Sequence, residues 1–169
     1  DSPTDVLLVR ASLGVVADAK FDVASVDRLE TAIVRARSIP VDVLLLDISM
    51  PGPGVFDLLK RLGEDHPSVR TVVLTMHPEG QYAVRVLRAG AAGYLSKARS
   101  SGLLVEAIRT AHRGEVFVSP SLGDTLARHV AGRSGRPPHE ALSDRELDVL
   151  VRLAKGQSVK AIAADLSLS

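Results

Sequence analysis

Val41-Asp42-Val43-Leu44-Leu45-Leu46-Asp47-Ile48-Ser49-Met50-Pro51-Gly52 is the stretch on which the fold turns. Val43 to Leu46 form an uninterrupted apolar run, the pattern of a strand buried on both faces in a parallel sheet covered by helices. Asp47 follows the run directly, so a carboxylate is expected at the carboxyl end of that strand. Val6-Leu7-Leu8-Val9 and Val72-Val73-Leu74 read the same way, Ala92 to Leu95 reads as a further strand, and Phe21 to Ala24 as a weaker one. Helical spacing lies between them: Leu29, Ala32, Ile33 and Ala36; then Phe56, Leu59 and Leu62; then Tyr82, Ala83, Val86 and Leu87; then Leu104, Ala107, Ile108 and Ala111. Gly90 and Gly114 follow the last two patterns, where a helix C-cap favours positive φ. Strand and helix alternate, which predicts a doubly wound α/β domain over residues 1–118 with a parallel five-stranded sheet.

A helix from Ser121 to Val130 comes next, then Ala131-Gly-Arg-Ser-Gly-Arg-Pro-Pro-His139, whose composition is that of a linker. Residues 119–139 are therefore a linker helix and linker. In residues 140–169, Ser143 and Glu146 have capping-box spacing ahead of Leu147, Leu150, Val151 and Ala154, and Gly156 closes that helix. Ser158 caps a short second helix that turns Ile162, Ala163 and Leu166 inward. Two helices bury little alone, so this segment reads as an incomplete all-α domain, and Ser167 to Ser169 as a turn into another helix.

Composition narrows the function. The 169 residues contain no Cys, which removes disulfide frameworks, thiolate metal sites and cysteine nucleophiles. No apolar run approaches the ~20 residues of a membrane span, and Asp1 opens no signal peptide. Formal charge is +1, with 14 basic and 14 acidic residues in 1–118 and 7 basic and 6 acidic in 119–169. Neither part attracts nucleic acid by bulk charge. The five aromatic residues, Phe21, Phe56, Tyr82, Tyr94 and Phe117, are too few for a base-stacking surface. His66, His77, His112, His129 and His139 lack metal-ligand spacing.

Chemistry concentrates at the carboxyl ends of the strands, where open α/β sheets place their sites. Asp47, Thr75 and Lys97 end three strands and bring a carboxylate, a hydroxyl and an ammonium to one crevice. That set suits phosphoryl transfer onto an aspartate, in which the carboxylate attacks and the other two hold the arriving oxygens. Taken singly, each residue has a plain structural reading as a turn, a strand end and a solvated lysine. Gly52 and Gly54 flank Pro53 without a phosphate-cradling pattern, and His77 is a candidate for the pocket rim, although a loop histidine is more often solvated.

With these pieces go Val72-Val-Leu-Thr75-Met-His77, Leu87-Arg-Ala-Gly-Ala-Ala-Gly-Tyr94-Leu-Ser-Lys97, Leu142-Ser-Asp-Arg-Glu-Leu-Asp-Val-Leu150 and Gly156-Gln-Ser-Val-Lys-Ala-Ile-Ala163. Their order and spacing over nearly the whole chain resemble a two-component response regulator of the NarL/LuxR (NarL/FixJ) type. The resemblance implies a flavodoxin-like receiver, a linker helix, and the N-terminal part of a LuxR-type helix-turn-helix domain that binds promoter DNA as a dimer. It implies Asp47 as phosphoacceptor and Mg²⁺ ligand, Thr75 and Lys97 as phosphoryl-binding residues, Tyr94 as switch aromatic, and a sensor histidine kinase as partner. Gln157, Ser158 and Lys160 are candidates for contacts to DNA phosphates, with plain solvation as the simpler reading. A cytoplasmic transcription regulator, not an enzyme and with no membrane partner, is the expectation. The competing readings are a pseudo-receiver controlled by ligand, partner or dimerisation, and a flavodoxin-like small-molecule binder.

One departure stands at the first strand. The family places an acidic pair there to hold Mg²⁺, whereas Val9 is followed by Arg10, Ala11 and Ser12. One carboxylate is a poor site for a cation that prefers octahedral oxygen coordination. Asp5 stands at the other end of a strand ~13 Å long. Asp18 falls along the following helix, and Asp22 at the far end of the next strand. Either the pocket is degenerate, with Lys97 paired to Asp47, no metal, and Arg10 reaching over the site, or about half a dozen residues of the crossover loop are absent between Val9 and Arg10. The second reading also suits the end of the chain at Ser169, ahead of the expected recognition helix, and makes Mg²⁺ conditional on that loop.

Overall fold

The computed structural model describes residues 3–16, 20–48, 54–76, 81–97, 100–131, 142–154 and 156–166. Ser49 to Pro53, His77, Asp18, residues 132–139 of the linker and the turn at Ser167 to Ser169 lie outside the described residues. Three strands, β1 (Val43–Asp47), β2 (Arg70–Thr75) and β3 (Gly93–Ser96), form a parallel sheet in the order β1-β2-β3. Around and after it lie α1 (Pro3–Gly14), α2 (Leu29–Ser38), α3 (Val55–Asp65), α4 (Gln81–Arg88), α5 (Ser100–His112), α6 (Pro120–Val130), α7 (Asp144–Ala154) and α8 (Val159–Asp165).

Side chains alternate across a strand, and β2 divides the core accordingly. Val73 joins Leu46 and Tyr94 under α3 and α4, packed on Val55, Phe56, Leu58, Leu59, Leu62, Ala83 and Val86. Val72 and Leu74 join Leu95 on the other face, packed on Leu104, Ala107, Ile108 and Ala111 of α5 and on Leu13 of α1. The sheet is thus covered on both faces, as its unbroken apolar runs require. Gly90 (φ 102°) and Gly114 (φ 83°) take the left-handed conformation expected after α4 and α5.

The first strand is a correction. Val6-Leu7-Leu8-Val9 lies inside α1, and Phe21 to Ala24 has no strand assignment, so the described sheet has three strands where spacing predicts five. A four-residue apolar run has no periodicity that separates a buried strand from a buried helix. Here Pro3 occupies the first helical position, where its missing N–H costs nothing, and Arg10-Ala-Ser-Leu follows Val9 with no turn residue between. A strand at Val6 to Val9 would need a loop before any crossover helix. Without one, the run continues as helix to Gly14. Val9 and Leu13 of that helix pack on the α5 side of the core, while Leu7 faces out. Among the described residues no strand pairs with the outer edge of β1, and Val43 to Leu45 are only half buried.

The short helices after the sheet are capped, α7 and α8 as expected and α6 by a residue that spacing did not single out. Ser119 Oγ accepts the Leu122 amide at 3.2 Å ahead of α6. Ser143 and Glu146 close the capping box of α7: the Ser143 amide and hydroxyl both donate to Glu146 Oε2 at 2.7 Å, and the Glu146 amide donates to Ser143 Oγ at 3.3 Å. Those bonds hold the Glu146 carboxyl below the ordinary glutamate range, the side-chain hydroxyl contributing most. Ser158 Oγ accepts the Ala161 amide at 3.2 Å and caps α8.

Candidate functional site at the strand ends

Parallel register brings the predicted residues together. Asp47 is the partner of Leu74, one position before Thr75, and Thr75 is the partner of Ser96, one position before Lys97. Lys97 Nζ donates to Asp47 Oδ2 at 2.7 Å, spanning β2 to join the ends of β1 and β3. The pair is nearly out of solvent, with 14% of the Lys97 and 9% of the Asp47 side chain exposed, and Thr75 is fully buried. A charge-assisted bond of this kind is stronger than one between neutral groups, and it orients one carboxylate oxygen toward the ammonium. The site therefore offers an anchored oxygen nucleophile, a cation able to follow negative charge and a strand-end hydroxyl.

Tyr94 is fully buried and points into the α3–α4 face of the core. Its ring centroid lies 6.5 Å from that of Tyr82 on α4, which lies 5.4 Å from that of Phe56 on α3, both pairs tilted by nearly 60°. The three rings form a row from β3 to the start of α3, a tilted geometry that suits aromatic quadrupoles. Tyr94 here is an inward core residue.

The described residues do not fit the Mg²⁺ site that the resemblance implies. Among them no group of three or more His, Asp or Glu side chains converges, and Asp47 Oδ2 is engaged by Lys97. Arg10 does not reach over the crevice: its Nη2 donates to the Val23 carbonyl at 3.1 Å. Of the features drawn for a degenerate pocket, the Lys97–Asp47 pair is present and an Arg10 reaching over the site is not.

At the other end of the chain, Gln157, Ser158 and Lys160 come together at the start of α8. Ser158 and Lys160 are exposed and Gln157 is half buried. The Ser158 hydroxyl is occupied as a cap.

Two features escaped the sequence reading. Asp148 and Arg152, one turn apart on α7, are both buried. Arg152 Nε lies 3.4 Å from Asp148 Oδ2, and its Nη1 donates to Asp165 Oδ2 on α8 at 3.0 Å, clamping the two helices. Spacing of i and i+4 was the available signal, but an Asp–Arg pair on a helix is more often solvated. The second is the seat of α7 on the sheet domain: Leu147 is part of the core under α3, with Leu142 packed against it. Leu142 and Leu147 thus share one apolar cluster with the sheet.

The response regulator receiver domain model matches residues 1–109, and the model of bacterial regulatory proteins of the luxR family matches residues 140–169. The response regulator UvrY of Escherichia coli K12 is 34% identical over 141 residues, covering 83% of this chain and 65% of the relative. The response regulator GacA of Pseudomonas viridiflava is 32% identical over 148 residues, covering 87% and 69%. The chain thus spans just under two thirds of the length of UvrY. Among solved structures, RcsB of Salmonella enterica serovar Typhimurium, bound to promoter P1flhDC in the presence of the phosphomimetic BeF₃⁻, superposes with TM-score 0.76 at 27% identity, covering 99% of this chain and 80% of that one. With its parallel sheet, its strand-end carboxylate and its capped helix pair, the chain belongs to the response regulator receiver family and carries a luxR-family helix-turn-helix segment behind the receiver.

Proposed function

We propose that the protein is a DNA-binding transcription regulator, not an enzyme, switched by phosphorylation of Asp47. The observation that carries the reading is the 2.7 Å contact of Lys97 Nζ with Asp47 Oδ2 at the carboxyl end of the sheet. In this scheme an Asp47 carboxylate oxygen attacks the phosphorus of a phosphohistidine on a sensor kinase. A new O–P bond forms as the N–P bond breaks, and the imidazole leaves. Lys97 follows the negative charge from the carboxylate to the phosphoryl oxygens, and the Thr75 hydroxyl donates to another of them. No step is assigned to a metal ion.

The phosphorylated form differs from the free form in the interactions of Lys97 and Thr75, and that difference can bias a two-state equilibrium. Tyr94, two residues before Ser96 on the same strand, is the candidate reporter of the change. Residues 1–118 are read as the receiver, 119–139 as a linker helix and linker, and 140–169 as the output segment. Promoter DNA, a sensor histidine kinase and a second copy of the chain are the proposed partners, and the cytoplasm is the proposed location. Promoter binding by RcsB and the luxR-family match support the DNA-binding part. Among the described residues no helix is long and apolar enough to cross a membrane. Gln157, Ser158 and Lys160 are proposed only as phosphate contacts, which position a protein on DNA without reading bases.

The test is intact-mass measurement after incubation with a small acyl phosphate and Mg²⁺. A gain of one phosphate that Asp47→Asn abolishes supports the proposal. No gain would contradict it and leave the receiver as a scaffold governed by ligand, partner or dimerisation.

A further inference from the structure

Gly54 is the N-cap of α3, and its backbone (φ −57°, ψ 148°) is open to every L-residue. Nothing in that conformation asks for glycine. Ser, Asp or Asn would serve better, because their side chains accept an amide hydrogen bond from the first helical turn. Gly54 provides no such bond. The reason for glycine lies across the domain boundary: a Cβ built on Gly54 would stand 2.6 Å from Asp148 Oδ2 and 3.4 Å from Asp148 Cγ. The carboxylate of α7 therefore fills the volume of the absent cap side chain. It is a negative group placed against the positive end of an eleven-residue helix, a favourable placement for an anion.

Three further observations fit. Asp148 is 4% exposed and its orientation is fixed by Arg152, which Asp165 braces in turn. Leu147, its neighbour, is seated in the apolar cluster under α3. Beside this contact, an open cleft between α3 and α8 is bordered by Gly54, Asp57, Lys60, Arg61, Asp165 and Leu166. At the edge of that cleft, Asp148 closes on Gly54 and Leu147 enters the core cluster.

We propose that Gly54 and Asp148 form an interdomain catch, in which the missing side chain at the start of the receiver helix α3 admits the Asp148 carboxylate of the output helix α7 and so holds the two domains together. The surface at the start of α3 is accordingly a docking site for the chain's own output segment. The catch does not depend on phosphorylation of Asp47, and it is tested without a phosphodonor.

The chain has no cysteine, so Glu106→Cys on α5 and Ala164→Cys on α8, both exposed, allow clean double spin-labelling of the whole protein. Pulsed electron spin resonance should give one narrow distance distribution for this parent. Gly54→Ser should move most of the population to a broader, longer distribution while the far-UV circular dichroism is retained. Gly63→Ser on the same helix, where an added Cβ meets nothing within 4 Å, should leave the distribution unchanged. Adding Asp148→Ala to Gly54→Ser vacates the contested volume, lets the serine cap α3 from its own chain position, and should restore the short distance. An unchanged distribution in Gly54→Ser, equal broadening in Gly63→Ser, or a double variant that stays open would each overturn the catch.

Discussion

Lys97 Nζ and Asp47 Oδ2 stand 2.7 Å apart, so the last residue of β1 and the first after β3 are tied together across the intervening strand. The two ends of the tie are not equivalent. Asp47 is fixed on a strand, whereas the lysine stem can carry its ammonium toward water. Lys97→Met is therefore expected to cost about 3 kcal/mol, because it takes the ammonium away from a nearly buried carboxylate. Asp47→Asn is expected to cost about 1 kcal/mol, in the range of a single hydrogen bond. Urea unfolding of the two variants checks the asymmetry, and equal losses would contradict it.

Tyr94 contributes to stability through its ring. Tyr94→Ala should cost about 3–5 kcal/mol, the range for emptying an aromatic site in a packed core. Tyr94→Phe keeps the contact with Tyr82 and should cost about 1 kcal/mol or less. Thermal unfolding of both variants distinguishes a packed ring from one that is free to leave its site.

On α7, the Arg152 guanidinium faces Asp148 on one side and Asp165 on the other. Arg152→Met removes the cation from a buried Asp148 and should destabilise the protein by about 3–5 kcal/mol. Asp165 is 30% exposed, so Asp165→Ala should cost about 1 kcal/mol. Denaturant titration ranks the two, and a reversed order would show that the clamp is held from the α8 side.

The capping box of α7 has a signed pH dependence. Hydrogen bonds from Ser143 lower the Glu146 value in the folded chain. Their contribution is complete above the ordinary range of an unfolded glutamate and is lost as pH falls through the lower folded value. The difference in melting temperature between the parent and Ser143→Ala should thus be full at neutral pH and close in acid. A gap that widens on acidification would contradict the assignment.

The strand ends were legible because each signal is local. Val43 to Leu46 and Val72 to Leu74 are short apolar runs with a polar residue at the carboxyl end, and parallel pairing then aligns those ends. The capping box was legible as Ser and Glu three residues apart. Val6 to Val9 has the same composition as the true strands but no loop after it, and the continuous chain resolves it as helix. Tyr94 was placed on a strand by its neighbours, yet its orientation follows from alternation against α3 and α4. Gly54 and Asp148 were silent, since each looks ordinary alone and the meaning of the glycine appears only when a distant carboxylate arrives beside it.

The central claim is that Asp47 is the residue that takes up phosphate. The direct measurement is borohydride reduction of the phosphodonor-treated protein, which converts an aspartyl phosphate to homoserine, followed by peptide mass mapping. The account expects homoserine at position 47 alone, and none there in Lys97→Met treated for the same short time. Homoserine at another aspartate, or at no position, would contradict it.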